Sequence, residues 1–485
     1  MSAEAQKSET ENKITCTDVT CPVCGISCDD IEVELDDVSV ETRNACIMGD
    51  AKFKELRSHH RITTPLIDGK EASWDEAIDK AAEIFAFAKR PFFFIGSETS
   101  TEAMSVGIEI AERVGGLVDG NATICHGPTV MAIQDVGQVG ATLGETRNRA
   151  DLDIYWGANP EDAHPRHLSR HSIFQRGFFT EQGRHARQII VVDPRRSTTA
   201  LHADLHLQLK PGTDFEVLNA IMTVLNGFEP HESFTDVTGI SREDLYKAAD
   251  MVKNARFGVI WVGLGIASTR GKHYNASMAM RLTQLGNKYG KFVILANRGH
   301  CNVAGFNQVL SWQCGFPYAV DFSTGEPRYQ PGEYSCVDAL RRGEVDAVFV
   351  MCADLGAHLP KRAVERMCEV PVVSIETAEG PQAFVSDVVL PGVLDAMECE
   401  ATFYRMDNVP CHARSFCDPP FDFTKSNEDT LIQLRDAIER KLAARQTAIA
   451  AGETGETKPP TTATAKLSKE EFVRSLDRLL SWNQT

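Results

Sequence analysis

The sequence lacks an excess of basic charge, and it lacks a hydrophobic run long enough to cross a membrane. Its 485 residues include 50 Lys and Arg against 68 Asp and Glu, a net charge of −18, which argues against a nucleic-acid partner. The longest uncharged apolar-rich run, residues 257–269, has 13 residues and is too short to span a bilayer. The first residues are polar and contain no apolar signal region, so we expect a cytoplasmic protein.

The sequence also lacks a complete G-x-G-x-x-G motif, so a simple NAD site is not supported. Gly263-Leu264-Gly265 is only a fragment of that motif. Cysteine, in contrast, occurs 14 times. In a large chain without an export signal, so many cysteines indicate free thiols and metal sites in a reducing compartment rather than a disulfide scaffold.

Four of these cysteines form a compact motif near the N-terminus. Cys21, Cys24, Cys28 and Cys46 follow the pattern C-x2-C-x3-C-x17-C. Three thiolates on one tight loop and a fourth a short distance away are typical ligands of a four-iron cluster. A zinc ribbon, a disulfide cluster and coincidence are the alternatives, although zinc sites favour two separate C-x2-C pairs. Cys16, just upstream, is interpreted as structural.

The segment between the third and fourth cysteines favours a hairpin. Residues 31–35 and 38–42 alternate apolar and polar side chains, and Asp36-Asp37 between them suits a turn. Such a hairpin leads the chain away and returns Cys46 to the first three cysteines.

Most of the remaining sequence predicts an α/β fold. Short apolar runs rich in Val and Ile are typical of buried parallel strands, and the spacers between them are long enough for crossover helices. We therefore predict two doubly wound units, with ligands beyond the carboxyl ends of the strands. The runs are residues 91–96, 153–157, 188–193, 257–263, 291–296, 346–351 and 371–375.

Three segments that end extended runs carry residues suited to a nucleotide. Gly157-Ala158-Asn159-Pro160 and Asp193-Pro194-Arg195 each follow a predicted strand, and Lys210 to Asp214 closes a third extended segment. An Asp in this position can bind ribose hydroxyls, and a Gly-rich turn exposes backbone N–H groups to pyrophosphate. Singly, each segment is more often only a turn, but their order in the chain strengthens the interpretation.

The end of the chain differs in composition from the rest. Residues 441–466 are predicted to be a flexible linker, because much of this stretch is rich in Ala, Thr, Gly and Pro. Residues 467–485 are predicted to form an amphipathic helix. That helix either packs on its own protein or docks on a partner subunit.

Two further segments connect these features to a known family. They are Thr123-Ile124-Cys125-His126-Gly127-Pro128 and Asn297-Arg298-Gly299-His300-Cys301-Asn302-Val303. Together with the cysteine motif, the strand-end segments and the stretches 61–66 and 73–77, they make residues 21–414 resemble the molybdopterin oxidoreductase superfamily. More narrowly, the chain is similar to the catalytic B subunits of tungsten- or molybdenum-dependent formylmethanofuran dehydrogenases.

The resemblance implies specific catalytic residues. Cys125 stands at the position of the cysteine that ligates tungsten or molybdenum, and Arg298 at that of the arginine facing the metal. His126 follows Cys125, as in related formate dehydrogenases, and we expect it to exchange a proton near neutral pH. The four N-terminal cysteines correspond to the ligands of one 4Fe-4S cluster.

The resemblance also implies two molybdopterin guanine dinucleotides. Gly157, Asn159, Asp193 and Asp214 match positions that hold one of them. Asp354 and Thr377, after later strands, are candidates for the other.

The fold implied is that of the formate dehydrogenase and DMSO reductase-like proteins, α/β with two doubly wound parallel-sheet domains plus a small β-rich N-terminal iron–sulfur domain. It lacks the C-terminal β-barrel domain of single-chain relatives. We expect the cluster domain to comprise residues 1–60, completed by about 392–440. One pterin domain would comprise residues 61–123 and 299–391, and the other residues 124–298.

The implied activity is the reversible reduction of CO2 to formate, within a hetero-oligomer. Expected partners are a β-barrel subunit that closes the pterin site, an amidohydrolase-like formyl-transferring subunit and ferredoxin-like electron-transfer subunits. Two alternatives stay open, a formate dehydrogenase catalytic subunit and a metal-free structural subunit of a formyltransferase/hydrolase complex.

Two positions need separate comment. Formate dehydrogenases have a lysine between cluster and pterin where this chain has Met48, and Lys52 is a possible substitute. The spacing of His164, His167 and His171 would suit a metal on one helix face. We favour instead that these histidines cap, stack or face solvent.

Overall fold

A computed structural model describes residues 13–451. The predicted hairpin near the N-terminus is confirmed. Strands Ile31–Leu35 and Val40–Arg43 pair antiparallel, and strand Ile14–Val19 adds to the other side of Ile31–Leu35. The helix Ile47–Lys54 then begins directly after Cys46, followed by a 3-10 turn at Glu55–Arg57. The hairpin therefore places the fourth cysteine at the start of a helix.

A five-stranded sheet, the smaller sheet, is entirely parallel. Its strands in spatial order are Leu205–Leu207, Gln188–Val192, Leu152–Trp156, Phe257–Val262 and Lys291–Ala296. The strand order reverses between Leu152–Trp156 and Phe257–Val262, which makes their carboxyl ends the switch point where ligands bind in such sheets.

A nine-stranded sheet, the larger sheet, has a parallel centre with antiparallel edges. Its central strands are Leu117–Gly120, Pro91–Ile95, Ala347–Met351, Val372–Glu376 and Val388–Pro391. The edge strands are Arg328–Tyr329 and Val320–Asp321 on one side, and Leu66–Ile67 and Lys70–Glu71 on the other. Its switch point lies between Pro91–Ile95 and Ala347–Met351.

Helices cover both sheets, so the predicted α/β class is confirmed and all seven predicted runs lie on strands. Around the larger sheet they are Trp74–Phe87, Thr101–Arg113, Val303–Cys314, Cys336–Arg342, Leu355–His358, Lys361–Met367, Pro381–Val385 and Asn427–Ala450. Around the smaller sheet they are Gly127–Val136, Leu143–Arg149, Pro160–Ala163, His167–Arg170, Asp214–Leu225, Phe234–Thr238, Arg242–Asn254, Leu264–Ser268 and His273–Gly286. Short 3-10 turns at Gly183–Ala186 and Thr199–His202 and a hairpin of Ala401–Tyr404 with Pro410–Ala413 complete the elements.

The helix Asn427–Ala450 corrects one sequence-based boundary. Residues 441–450 were expected to begin a flexible linker, but they continue this helix. The stretch is rich in Ala, Lys, Arg and Gln, which favour helices. Arg445 also anchors it, donating to the Ala86 carbonyl at 3.1 Å with its guanidinium over the Phe87 ring. The helix predicted for residues 467–485 lies outside the described residues.

Across residues 13–451, no helix combines the length and apolar character that crossing a membrane requires.

Candidate active site

The four N-terminal cysteines converge on one pocket. Cys21, Cys24, Cys28 and Cys46 all line this pocket. The loop is closed by the Cys21 N–H donating to the Cys28 carbonyl at 2.7 Å. A Cβ added at Gly49 would lie 3.2 Å from Cys21 Sγ and 3.9 Å from Cys46 Sγ, so glycine leaves room for both thiols. The structure thus brings together the quartet selected from spacing.

The electrostatics of this pocket oppose free thiolates. Burial is the main cause that raises the pKa of Cys24 to about 12 and the pKa of Cys21 still higher. All 14 cysteines lie in the described part of the chain, and none forms a disulfide. No three His, Cys, Asp or Glu side chains within residues 13–451 converge on a single ion position. A four-iron cluster does not require such convergence, because each thiolate binds a different iron.

The cysteine loop packs directly on the loop that carries Arg298. The Gly25 N–H donates to the Gly299 carbonyl at 3.2 Å, and the Cys301 N–H donates to the Val23 carbonyl at 3.1 Å. A Cβ at Gly25 would lie 2.7 Å from the Arg298 carbonyl oxygen, so this contact depends on glycine. The two loops therefore touch through their backbones.

Asn297, Gly299 and His300 of the Arg298 loop line a large cleft, here called the catalytic cleft. It has a volume of about 1110 Å³ and lies at the switch point of the smaller sheet. Its lining includes Cys125, His126, Gly157 and Asn159, so four sequence-selected residues share it. A Cβ on Gly263 would be 2.2 Å from the Gly157 carbonyl oxygen, which shows how closely the two strand ends approach.

Cys125 is a partly buried residue that lines this cleft. It lies on a turn between strand Leu117–Gly120 and helix Gly127–Val136, where its N–H donates to the Ala122 carbonyl at 3.1 Å. Burial raises the pKa of the Cys125 thiol, while the positive charge of Arg298 opposes that shift. A cationic ligand or metal would be needed to hold the thiolate at neutral pH.

His126 is buried and differs from the sequence-based expectation. Its Nε2 donates to the Asn297 carbonyl at 3.2 Å, and its Nδ1 accepts from Thr129 Oγ1 at 3.1 Å. Burial, aided by the charge of Arg298, lowers the pKa of His126 to about 3. The expectation that His126 exchanges a proton near neutral pH is therefore wrong, since the ring stays neutral there.

Arg298 is enclosed by the protein with one nitrogen unpaired. Its Nη1 donates to Asn307 Oδ1 at 2.5 Å, and its buried Nε has no partner among the described residues. Burial lowers the pKa of Arg298 to about 10, so the guanidinium keeps its charge at neutral pH. It is thus a desolvated cation beside Cys125.

Asn297 is a site residue that sequence reasoning missed. It lines the catalytic cleft, and both of its buried amide atoms lack a hydrogen-bond partner in the described structure. It could have been selected from the sequence, because it directly follows the strand Lys291–Ala296 and ligands bind at the carboxyl ends of such strands. Unpaired buried amide atoms indicate a polar ligand at this point.

The remaining candidates for the first dinucleotide have different surroundings. Asn159 Oδ1 accepts from Thr199 Oγ1 at 2.7 Å, and Asp193 accepts from the Arg195 N–H at 2.8 Å. Arg195 lines the catalytic cleft, but Asp193 does not. Asp214 is 4 % exposed and accepts from Trp156 Nε1 at 2.8 Å, outside the cleft lining.

A second cleft lies at the switch point of the larger sheet. It has a volume of about 850 Å³ and includes Asp354 and Thr377. Asn121, His300 and His358 line both clefts, which therefore adjoin. Glu376 Oε1 is buried there without a described partner. The structure thus offers two connected spaces, one for each sheet.

Lys52 lies between the cysteine pocket and the second cleft. It is on the helix that Cys46 begins, and it lines that cleft. Its Nζ donates to Glu55 Oε2 at 2.8 Å and is 3.8 Å from Glu98 Oε2. Burial lowers the pKa of Lys52, but the Glu98 and Glu55 carboxylates outweigh that effect and leave it raised.

The three closely spaced histidines are buried rather than facing solvent. His164, His167 and His171 are 2 %, 0 % and 8 % exposed. The His167 ring stands perpendicular to Trp261 with 4.5 Å between ring centroids. The contact of His167 with Trp261 is edge-on rather than stacked, and exposure to solvent is wrong for all three histidines.

The comparisons with known proteins agree on one family. The family model for molybdopterin oxidoreductases matches residues 61–428. The chain is 44 % identical to the B subunit of tungsten-containing formylmethanofuran dehydrogenase 2 from Methanocaldococcus jannaschii, over 83 % of this chain and 94 % of that protein. It is 42 % identical to the corresponding protein of Methanococcus maripaludis, over 87 % of this chain and 99 % of that protein.

Two solved structures share the fold at low identity. One is a chain of the formyltransferase/hydrolase complex from Methylorubrum extorquens, with a TM-score of 0.64, 18 % identity, and coverage of 78 % of this chain and 99 % of that chain. The other is acetylene hydratase from Pelobacter acetylenicus, with a TM-score of 0.65, 15 % identity, and coverage of 89 % of this chain and 70 % of that chain.

Proposed function

The chain belongs to the molybdopterin oxidoreductase family and, within it, to the B subunits of formylmethanofuran dehydrogenases, and from this we propose that it is the redox subunit that interconverts CO2 and formate. The observation that carries the proposal is the position of the Arg298 loop. On one side it contacts the cysteine loop, and on the other it borders the cleft that Cys125 lines. Electrons arriving at the cysteine pocket thus need to cross only one loop.

The donor sets of the chain fit the cofactors of this family. Cys21, Cys24, Cys28 and Cys46 would hold one 4Fe-4S cluster, and Cys125 would ligate tungsten or molybdenum. The two adjoining clefts would hold two molybdopterin guanine dinucleotides, with the unpaired Asn297 amide and Glu376 carboxylate meeting polar cofactor atoms. When bound, the metal with its pterins supplies the two-electron chemistry that side chains cannot provide.

We retain all the pterin contacts proposed from the sequence, but the structural support is not the same for each residue. Gly157 and Asn159 line the catalytic cleft, and Asp354 and Thr377 line the second one. Asp193 acts through the neighbouring Arg195, whose side chain suits a pyrophosphate. Asp214 holds Trp156 beneath the cleft, so we propose it as a supporting residue.

The residues of the chain position the substrate. A guanidinium presents a planar fork of donors that matches a carboxylate, and in a desolvated site its charge acts strongly. Arg298 has such a charge and a free Nε. His126, neutral and hydrogen-bonded at both ring nitrogens, fixes the Asn297 backbone next to Arg298.

The protein would work within a hetero-oligomer. We propose a β-barrel subunit over the pterin clefts, an amidohydrolase-like subunit that takes up the formyl group, and ferredoxin-like subunits that deliver electrons to the cysteine pocket. The metal-free structural alternative is disfavoured, because the chain has all five thiols that the redox site requires.

Replacement of Cys125 tests this proposal. In the complex purified without oxygen, Cys125→Ala should reduce CO2 reduction below about 1 % of wild type, since the metal loses its protein ligand. The iron content should be unchanged, because the cysteine pocket is intact. Cys314→Ala, at the C-terminal end of helix Val303–Cys314 and outside the lining of both clefts, is the matched control and should retain wild-type activity. Substantial CO2 reduction by Cys125→Ala would remove Cys125 as the metal ligand.

A further inference from the structure

Two arginines beside the cysteine pocket have no part in the function proposed so far. Arg166 lines that pocket together with Cys28 and Cys46. Arg170 follows about one turn later, at the end of the short helix His167–Arg170. Side chains four residues apart lie on the same face of a helix, so the two guanidinium groups extend towards the same side of the pocket.

Two carboxylates hold these arginines in place. Asp29 and Asp30 directly follow Cys28 in the chain. Arg166 donates from Nη1 and Nη2 to the two carboxylate oxygens of Asp30, at 2.6 and 2.7 Å. Arg170 donates to Asp30 Oδ1 at 2.7 Å and to Asp29 Oδ1 at 2.8 Å. Because a bidentate pair restricts the orientation of a guanidinium, both arginines have defined positions next to Cys28.

The arginines are the more buried partners in these ion pairs. The side chains of Arg166 and Arg170 are 21 % and 19 % exposed, against 39 % for Asp30 and 63 % for Asp29. Solvent screens an exposed charge more strongly than a buried one. The carboxylates therefore cancel only part of the positive charge that the arginines bring to the pocket.

Cys28 is the proposed cluster ligand that experiences this charge. Burial raises the pKa of its thiol, and the charges of Arg170 and Arg166 are the largest effects that oppose the shift. At Cys21 and Cys24, where burial also raises the pKa, the largest opposing effect comes from a backbone N–H group. The arginines thus stabilise negative charge on one side of the pocket.

The segment that carries Arg166 also borders the catalytic cleft. Pro165 and Arg166 line the cysteine pocket, whereas His164, directly before them, lines the cleft. His164 Nε2 donates to the Arg298 carbonyl oxygen at 2.7 Å, which fixes this segment to the loop that contacts the cysteine loop. Arg166 therefore lies where the pocket and the cleft come close to each other.

We propose that Arg166 and Arg170, held by Asp29 and Asp30, are positioning residues whose charge raises the reduction potential of the iron–sulfur cluster. This inference rests on the function proposed above, because it requires a cluster on the four cysteines. Reduction brings one electron from the donor subunits, and hence one negative charge, into a buried site. A cation near a cysteine sulfur stabilises that charge, and local charge and hydrogen bonds are known to set cluster potentials. The arginines thereby keep the cluster reducible in a pocket whose burial opposes negative charge.

Removal of one arginine charge tests the proposal. In the complete complex, Arg166→Gln should shift the equilibrium between oxidised and reduced cluster about tenfold towards the oxidised form, or about 59 mV for one electron. The measurement is a redox titration followed by electron paramagnetic resonance, in which the signal that Cys46→Ala lacks belongs to this cluster. Arg166→Lys keeps the charge and should lower the potential less than Arg166→Gln does.

Removal of the paired carboxylate should have the opposite effect. Asp30→Asn takes away the negative charge that partly cancels both arginines, so the reduction potential should rise. An ion pair with only a structural role would not give shifts of opposite sign in the two variants. The matched control is Arg435→Gln, which should keep the wild-type potential. Arg435 is 26 % exposed and pairs with Glu109 and Asp436, but it does not line the cysteine pocket.

Iron analysis of each variant separates failure of this inference from failure of the proposed function. If Arg166→Gln does not retain its cluster, Asp30→Asn and Arg166→Lys are the deciding variants. An unchanged potential in an Arg166→Gln protein that retains its iron, or a potential that Asp30→Asn fails to raise, would overturn the role given to the arginine charges and leave the proposed function standing. An iron content that Cys46→Ala leaves unchanged would instead refute the cluster, and with it the proposed function.

Discussion

Arg298 shows most directly how one side chain can define the chemistry of the site. It keeps a positive charge while fully enclosed, next to the Cys125 thiol, with Nε left unpaired. Lysine would keep the charge but lose the planar fork that fits a carboxylate. We expect Arg298→Lys to lower kcat/KM for CO2 reduction by about 100-fold, as measured by steady-state assay of the complex.

The control for this substitution is Arg281→Lys, on the exposed side of helix His273–Gly286. Its kcat/KM should equal that of wild type. Its content of tungsten or molybdenum and its iron content should match those of Arg298→Lys. A kcat/KM within threefold of wild type in Arg298→Lys would contradict the role given to the guanidinium.

His171 leads to a prediction about acid stability. Its pKa is lowered to about 3 in the folded protein, against about 6.5 for an unfolded histidine. As the pH falls below about 6.5 the unfolded chain binds the proton first, so stability is lost by about 1.4 kcal/mol per pH unit until about pH 3. Removing this group in His171→Gln should reduce the fall in stability between pH 7 and pH 5 by about 2 kcal/mol.

The measurement is the melting temperature of the complex at both pH values. His231→Gln, at an exposed histidine, should keep the wild-type difference between pH 7 and pH 5. If the melting temperature changes by the same amount between pH 7 and pH 5 in His171→Gln and in wild type, the pKa of the His171 ring is not lowered in the folded protein.

At the residue scale, local spacing selected the four N-terminal cysteines, and the family resemblance selected Cys125. Neither could show what depends on burial. The neutral state of His126 could not be predicted in this way, since it arises from burial and from Arg298, which is distant in sequence. The free amide of Asn297 likewise becomes evident only when every possible partner is located.

At the scale of elements, the strand ends of the smaller sheet determine the shape of the catalytic cleft. A methyl group on Gly263 would meet the Gly157 carbonyl oxygen at 2.2 Å, so one of the two strand ends would have to move. We expect Gly263→Ala to destabilise the protein by about 1–3 kcal/mol and to lower its pterin content. Thermal unfolding and guanine nucleotide analysis of the complex provide the two readouts.

Gly140→Ala is the matched control, because a Cβ there meets no atom within 4 Å. Its melting temperature should stay within about 1 °C of wild type, or rise slightly. If Gly263→Ala also melts like wild type and keeps its pterins, the close approach of the strand ends is not required for the cleft.

The elements themselves were largely predictable, and the exceptions have physical reasons. Buried parallel strands have short runs of Val and Ile, which is why all seven runs were found. The Ala, Thr, Gly and Pro content of residues 441–466 as a whole favoured a linker. The helix Asn427–Ala450 nevertheless continues through residue 450, because residues 441–450 favour helices and Arg445 contacts Ala86 and Phe87. Because those contacts join residues far apart in the sequence, they could not be predicted from the residues around Arg445.

At the scale of the whole molecule, the function depends on how three parts meet. The cysteine pocket, the switch point of the smaller sheet and that of the larger sheet surround one region, where Asn121, His300 and His358 border both clefts. The two doubly wound units could be expected from the series of apolar runs in the sequence, and the family resemblance implied the same arrangement. The direct contact of the cysteine loop with the Arg298 loop required the structure, because it is made by backbone atoms.

Elemental analysis of the complex, purified without oxygen, tests the central claim most directly. The account predicts about one tungsten or molybdenum atom for each copy of this chain, and about four fewer iron atoms for each copy in Cys46→Ala than in wild type. A complex with neither tungsten nor molybdenum, or an iron content that Cys46→Ala leaves unchanged, would contradict it.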